Sequence, residues 1–270
     1  MRLSVNDYYV NVVCEGGGSP FVVLHGFTGA ASNWASFFPS WSKHFQVIAP
    51  DIIGHGESEA PIDPGRYTMD RAADDLVGLL DQLGIAKTHM LGYSMGGRLA
   101  LTFAVRHPDR VRSLILESSS PGLKTEQERS ERMERDEALA DRIEQIGVET
   151  FVEEWEKVPL FATQSAEVRE MLRKQRAKNR EIGLANSLRG MGTGAQKTLW
   201  KELSSLEVPV KLIVGELDVK FRQIAREMQE SFPNAEIDTV PETGHAIHAE
   251  NPRFFDKIVE EWIIKNERTE

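Results

Sequence analysis

Short apolar runs closed by turn residues punctuate the chain at 21–24, 47–49, 89–91, 114–116, 210–214 and 237–240. Runs of this length, rich in β-branched residues and ended by Gly, Pro or Asp, read as strands buried on both faces of a parallel sheet. Between several of them the period changes. Leu76, Leu79, Leu80 and Leu83 recur every three to four residues, and Leu99, Leu101, Ala104 and Val105 cover a broader helical face. Strand–helix alternation predicts an α/β fold with a mostly parallel central sheet flanked by helices. From about Gly122 to Ser205 the pattern breaks: Glu, Arg, Lys and Gln dominate, helical periodicities persist and strand signals stop until Val208. An inserted helical cap explains this with one sheet. The expected division is a core of residues 1–121 and 206–270 with a cap of residues 122–205. The cap would lie over the carboxyl edge of the sheet, where open α/β sheets place their sites.

The sharpest local signal is Gly92-Tyr93-Ser94-Met95-Gly96-Gly97, a G-x-S-x-G match directly after an apolar strand and directly before a helix. That context marks a nucleophile elbow, in which glycines tolerate a strained turn that lifts the Ser94 hydroxyl clear of the backbone. The helix start then aims free N–H groups at the reacting atom. A second motif, Leu24-His25-Gly26-Phe27, ends the first of these strands. The Phe27 and Met95 amides are the expected oxyanion hole.

A serine hydroxyl needs a base, and the base an orienting acid. In the chain order Ser…Asp…His, Asp218 follows the 210–214 strand and His245 follows the 237–240 strand. Glu216 is the rival acid and His248, three residues beyond His245, the rival base; His248 reads better as a pocket wall. His25, Asp51 and His55 read as loop-shaping residues.

Charge narrows the partners. The 270 residues carry 42 acidic against 32 basic side chains, a net charge of −10. Such a field repels phosphate backbones and anionic lipid, which argues against nucleic acid and membranes as partners. The single cysteine, Cys14, sits in an alternating Val-Asn-Val-Val-Cys run and reads as a small strand residue. No basic-then-apolar leader pattern or membrane-length apolar stretch is present, so the expected location is cytoplasmic. No Cys/His set has metal spacing and no G-x-G-x-x-G occurs, so no cofactor is expected. Oligomeric state is not written in these patterns; a monomer is the simpler expectation.

Against this acidic background several arginines stand out. Arg98 lies four residues after Ser94, one helical turn along on the same face. A guanidinium there is costly unless it meets an anion: a ligand, or a carboxylate such as Glu117. In the cap, the apolar stripe Leu139, Ile143, Ile146 extends backwards to Arg132 and Arg129. A further helix would carry Arg169, Arg173, Arg176 and Arg180 on one face, which is either solvated or ligand-facing. Trp155 is either core or a ligand platform.

Taken together, Leu24-His25-Gly26-Phe27-Thr28-Gly29, Leu91-Gly92-Tyr93-Ser94-Met95-Gly96-Gly97-Arg98, Glu117-Ser118-Ser119-Ser120-Pro121-Gly122-Leu123, Pro159-Leu160-Phe161, Leu188-Arg189-Gly190-Met191-Gly192-Thr193-Gly194, Gly215-Glu216-Leu217-Asp218-Val219-Lys220-Phe221 and Gly244-His245-Ala246-Ile247-His248-Ala249-Glu250-Asn251-Pro252 resemble one family. It is the 2-succinyl-6-hydroxy-2,4-cyclohexadiene-1-carboxylate synthases of menaquinone biosynthesis, within the α/β-hydrolase superfamily. The triad and His-Gly-Phe motifs are general to that superfamily; the arginine after the elbow and the glycine-rich cap motif are more specific. The resemblance implies a lyase that eliminates pyruvate from a cyclohexene bearing a carboxylate, a succinyl group and an enolpyruvyl ether, hence a small polycarboxylate substrate. It implies Ser94 as base with His245 and Asp218 as its activators. Arg98, Arg132 and Arg176 become carboxylate binders, and Tyr93 and Trp155 pocket walls. An esterase or carbon–carbon bond hydrolase of the same fold, and a ligand-binding receptor with little turnover, are the competing readings.

Overall fold

The computed structural model describes residues 1–267. Eight strands form one sheet: β1 (Arg2–Val5), β2 (Tyr8–Glu15), β3 (Ser19–Leu24), β4 (Phe45–Pro50), β5 (Thr88–Tyr93), β6 (Val111–Glu117), β7 (Val210–Gly215) and β8 (Ala235–Val240). Their order is β1-β2-β4-β3-β5-β6-β7-β8. Only the β1–β2 and β2–β4 pairs are antiparallel. All six apolar runs fall inside strands, each extended by one to four residues. The antiparallel edge was legible only through the alternation around Cys14. β1 is four residues long and mostly exposed, so it carries no apolar run that would mark it.

The helices are α1 (Phe38–Trp41), α2 (Met69–Gln82), α3 (Met95–Arg106), α4 (Glu126–Trp155), α5 (Ala166–Arg176), α6 (Glu181–Met191), α7 (Val219–Ser231), α8 (Ile247–Glu250) and α9 (Pro252–Glu267). They cover both faces of the sheet, and the two-residue side-chain period of β3 shows how. Val22 and Leu24 point into one core with Leu76, Leu79 and Leu80 of α2, Leu99 and Leu101 of α3, and Met228 of α7. Phe21 and Val23 point into the other, with Trp41 of α1 and Val259 and Trp262 of α9. α2 starts where the Thr68 hydroxyl accepts the Arg71 amide, and its leucines are the buried stripe read from sequence.

Between β6 and β7 the chain makes only helices and turns. α4 opens with a capping box between Thr125 and Glu128 and is broken at Gly147, whose φ of 76° is not helical. Ala140, Ile143, Phe151 and Val152 of α4 bury a separate small core against Leu184, Ala185 and Leu188 of α6. The arginine stripe expected on one helix is divided. α5 ends at Arg176 with Ala177 as its cap, so Arg180 stands beyond it at the start of α6. α6 also meets the loop after β4 backbone to backbone: a Cβ on Gly183 would lie 2.0 Å from the Gly54 carbonyl oxygen. Among the described residues no helix is long and apolar enough to cross a membrane.

Candidate active site

Ser94 joins β5 to α3 with φ +50°, a conformation L-residues rarely adopt. Strain at such a position persists only where the surroundings enforce it. Here they do: the Ser94 amide donates to the Glu117 carbonyl on β6 at 2.9 Å. Gly96 lies so close to β3 that a Cβ would be 2.4 Å from the Leu24 carbonyl oxygen. The Ser94 hydroxyl is 3.1 Å from His245 Nε2, and His245 Nδ1 is 2.7 Å from Asp218 Oδ2. His245 and Asp218 are almost fully buried. These three side chains from three separate strand ends form one hydrogen-bonded relay. Glu216, the rival acid, instead accepts the Glu242 amide at 3.0 Å and so shapes the loop before His245.

The close approach of α3 to the end of β3 also brings together the loops that carry the Phe27 and Met95 amides. Among the described residues neither amide donates a hydrogen bond within the protein. An aromatic wall borders this point. The Phe27 ring meets Trp155 edge-on at 5.5 Å, Trp155 stacks on Phe151, and Phe161 lies 5.9 Å from Trp155 and 6.4 Å from His245. The buried Trp155 indole N–H has no acceptor among the described residues. Tyr93 lies between the two histidines, 5.5 Å from His245 and 4.6 Å from His248.

The arginines differ in what holds them. Arg98 is 9% exposed. Its Nη1 donates to the Met191 carbonyl at 2.8 Å and to Gln196 Oε1 at 2.9 Å, both neutral acceptors. Glu117, the carboxylate expected as its alternative partner, is taken: it accepts both the His248 amide and its Nδ1. Burial, together with repulsion from Arg132, pushes the Arg98 pKa down to about 10. Arg176 is 6% exposed and lies 4.8 Å above the Phe161 ring, its buried Nη1 without a hydrogen-bond partner among the described residues. Burial lowers its pKa as well. Arg132 is half-exposed, and its Nε donates to the buried Asp136 at 2.8 Å. Of the remaining stripe, Arg129 donates to the Gly194 carbonyl, Arg169 to the Gln164 carbonyl, Arg180 to the Ser58 carbonyl, and Arg173 pairs with Glu156.

His25 accepts the Ile52 amide on Nε2 at 2.9 Å and sits 2.8 Å from the Gly26 carbonyl through Nδ1. Burial lowers its pKa, so the ring is neutral and ties two loops together. His55 is pushed down to about 3, first by burial and then by His25. Asp51 accepts the Ala31 and Glu57 amides. Sequence reasoning missed Gln196, Asp136 and the Glu117–His248 pair. Only Asp136 left a signal, as an acid four residues after Arg132. An open groove of about 920 Å³ lined by Met69, Glu137, Asn186, Arg189 and Gln196 contains none of the relay residues. Its Arg189 is already held by Glu137, Asp141 and Glu144.

Residues 19–252 match the sequence family described as alpha/beta hydrolase fold. The chain is 47% identical over 269 residues to a Bacillus subtilis (strain 168) protein provisionally assigned as 2-succinyl-6-hydroxy-2,4-cyclohexadiene-1-carboxylate synthase, spanning 97% of this chain and 98% of that one. It is 32% identical to the 2-succinyl-6-hydroxy-2,4-cyclohexadiene-1-carboxylate synthase of Klebsiella pneumoniae (MGH 78578), over 87% of this chain and 90% of that one. The structure of MenH from S. aureus superposes with a TM-score of 0.90 at 33% identity, covering 96% of this chain and 98% of that one.

Proposed function

The chain belongs to the 2-succinyl-6-hydroxy-2,4-cyclohexadiene-1-carboxylate synthase family of α/β-hydrolase-fold proteins, and we propose that its Ser94–His245–Asp218 relay performs that family's elimination. The protein is a lyase of menaquinone biosynthesis. Its substrate is 2-succinyl-5-enolpyruvyl-6-hydroxy-3-cyclohexene-1-carboxylate, and its products are pyruvate and the cyclohexadiene.

The chemistry follows from where charge develops. Ser94 gives its proton to His245 Nε2, and Asp218, on Nδ1, steadies the imidazolium that results. The serine oxygen then takes the ring proton beside the succinyl ketone. The electron pair moves through the ring double bond and expels the enolpyruvyl oxygen, which takes the proton held by the His245 imidazolium, and the freed enol ketonises to pyruvate. The ketone oxygen carries the negative charge in between. The Phe27 and Met95 amides, with no acceptor of their own, suit a dienolate oxygen as well as a tetrahedral one. No water takes part, so exclusion of water by the residues 122–205, read as a cap, favours elimination over hydrolysis.

The observation that carries this reading is the pair of buried guanidiniums, Arg98 and Arg176. Neither has a carboxylate within 4.0 Å among the described residues, and Arg176 Nη1 has no partner at all. A cation left in this state is poised for an anionic ligand. Arg132, already gripped by Asp136, adds charge at the edge of the site. Tyr93 and Trp155 serve as its walls. A plain esterase would leave these arginines without a task. The test compares purified wild type with Ser94→Ala for multiple-turnover pyruvate release from the enolpyruvyl substrate. Loss by several orders of magnitude is expected, whereas equal release by the variant would remove Ser94 from the mechanism.

A further inference from the structure

Thr28 is a β-branched residue with φ +67°, almost fully buried, one position after the Phe27 amide. Such a residue avoids the left-handed region, so something must hold it there. The holding group is Asn179, 151 residues away. Its Nδ2 donates to the Thr28 carbonyl at 2.8 Å. The same nitrogen donates to the Arg176 carbonyl at 3.0 Å, and its Oδ1 accepts the Gly56 amide at 2.9 Å. The partners dictate the orientation of the amide, because two carbonyls need donors and one N–H needs an acceptor. Asn179 is 7% exposed and has every hydrogen-bonding position of its amide filled except one lone pair.

We propose that Asn179 is a positioning residue that joins the oxyanion amide of Phe27 to the carboxylate binder Arg176 in one rigid unit. The link runs through two peptide planes. The Thr28 carbonyl held by Asn179 belongs to the same planar peptide as the Gly29 N–H. That N–H donates to the Gly26 carbonyl at 2.9 Å, which also meets His25 Nδ1 at 2.8 Å. The Gly26 carbonyl in turn belongs to the same peptide as the Phe27 N–H. In a trans peptide the two groups point in opposite directions, so fixing the Gly26 oxygen aims the Phe27 N–H. At its other end Asn179 grips the last residue of α5, whose guanidinium lies over Phe161. A ligand carboxylate drawn to Arg176 therefore bears on the amide that stabilises the developing oxyanion. This inference takes its chemistry from the function proposed above, but its structural claim stands apart from it.

The test uses Asn179→Ala and Asn179→Asp, the latter keeping the acceptor for Gly56 and losing both donors. Amide hydrogen exchange is read by mass spectrometry on peptides covering 25–30 and 170–178, with kcat and KM for pyruvate release alongside. In both variants exchange should rise in both segments together. The kcat should fall about 10- to 100-fold, as expected for a misaimed oxyanion donor, and KM should rise with Arg176 displaced. Unchanged exchange at 25–30, or an unchanged kcat in a folded variant with only a lowered Tm, would overturn the proposal. If wild type released no pyruvate, the functional reading would fail while the exchange data still decided the role of Asn179.

Discussion

Replacing Arg98 by Met separates a ligand-binding arginine from a structural one. In the free protein Arg98 is buried, repelled by Arg132 and held only by neutral acceptors. Depression of its pKa from 12.5 to about 10 corresponds to about 3 kcal/mol of unfavourable burial and repulsion. A guanidinium does not shed its proton at working pH, so that energy is stored in the native state. Arg98→Met removes it, and in exchange leaves the Met191 carbonyl and Gln196 Oε1 without a donor, a loss of about 1–3 kcal/mol each at most. Set against the roughly 3 kcal/mol relieved, a combined loss of about 2–6 kcal/mol leaves a net change between about 1 kcal/mol of stabilisation and about 3 kcal/mol of destabilisation. Had Arg98 been one half of a buried ion pair, the loss would be about 3–5 kcal/mol. Catalysis should respond quite differently. A charge-assisted contact to a substrate carboxylate contributes about 1.5–3 kcal/mol, or roughly 10- to 150-fold in kcat/KM. The assays are urea unfolding at neutral pH and initial rates of pyruvate release. A strongly destabilised variant with unchanged kcat/KM would make Arg98 a structural clamp for the end of α6 and not a ligand binder.

The remaining expectations concern the relay, a buried histidine and a backbone contact. His245→Ala and Asp218→Asn should each lower kcat by several orders of magnitude without unfolding the chain, as read by initial rates and circular dichroism; near-full activity in either would break the assignment. His55, with its pKa lowered from 6.5 to about 3, should stay neutral as pH falls, while the unfolded chain takes up a proton below about pH 6.5. The unfolded state then binds more protons, so this group makes stability fall with pH in the window between about 6.5 and 3. Its imidazole resonances should not titrate between about pH 8 and about pH 5, and a midpoint near the unperturbed value of about 6.5 would contradict the burial argument. Gly183→Ala gains helix propensity of about 1 kcal/mol but drives a Cβ to 2.0 Å from the Gly54 oxygen. Sterics should win and Tm should drop; a raised Tm would show that α6 can move away freely.

The core of the sheet was legible because its strands are buried on both faces, which writes continuous apolar runs such as residues 21–24 of β3 into the chain. β1 was not, because a short, exposed edge strand needs no such run. Ser94, Asp218 and His245 could be read because each sits at a strand end, in the chain order that this fold imposes. Distance along the chain hid the supporting residues. Asn179 reaches Thr28 across 151 positions and His248 reaches Glu117 across 131, and neither pairing leaves a local pattern. Glu117 offered a plausible partner for Arg98, yet the carboxylate turns to His248. The arginine stripe misled at its end because periodicity alone does not register the turn after Arg176 that starts a new helix with Arg180 as its cap.

Elimination by a proton-abstracting serine is open to one direct measurement. Purified, chelator-treated protein is incubated with the enolpyruvyl cyclohexene. Pyruvate is followed by coupled reduction, and the conjugated cyclohexadiene by its ultraviolet absorbance. The expected result is many turnovers, with both products appearing in equal amounts and at equal rates, and no products above background with Ser94→Ala. Release of pyruvate without the diene, turnover of simple esters alone, or no more than a single equivalent of product per protein would rule out elimination by Ser94.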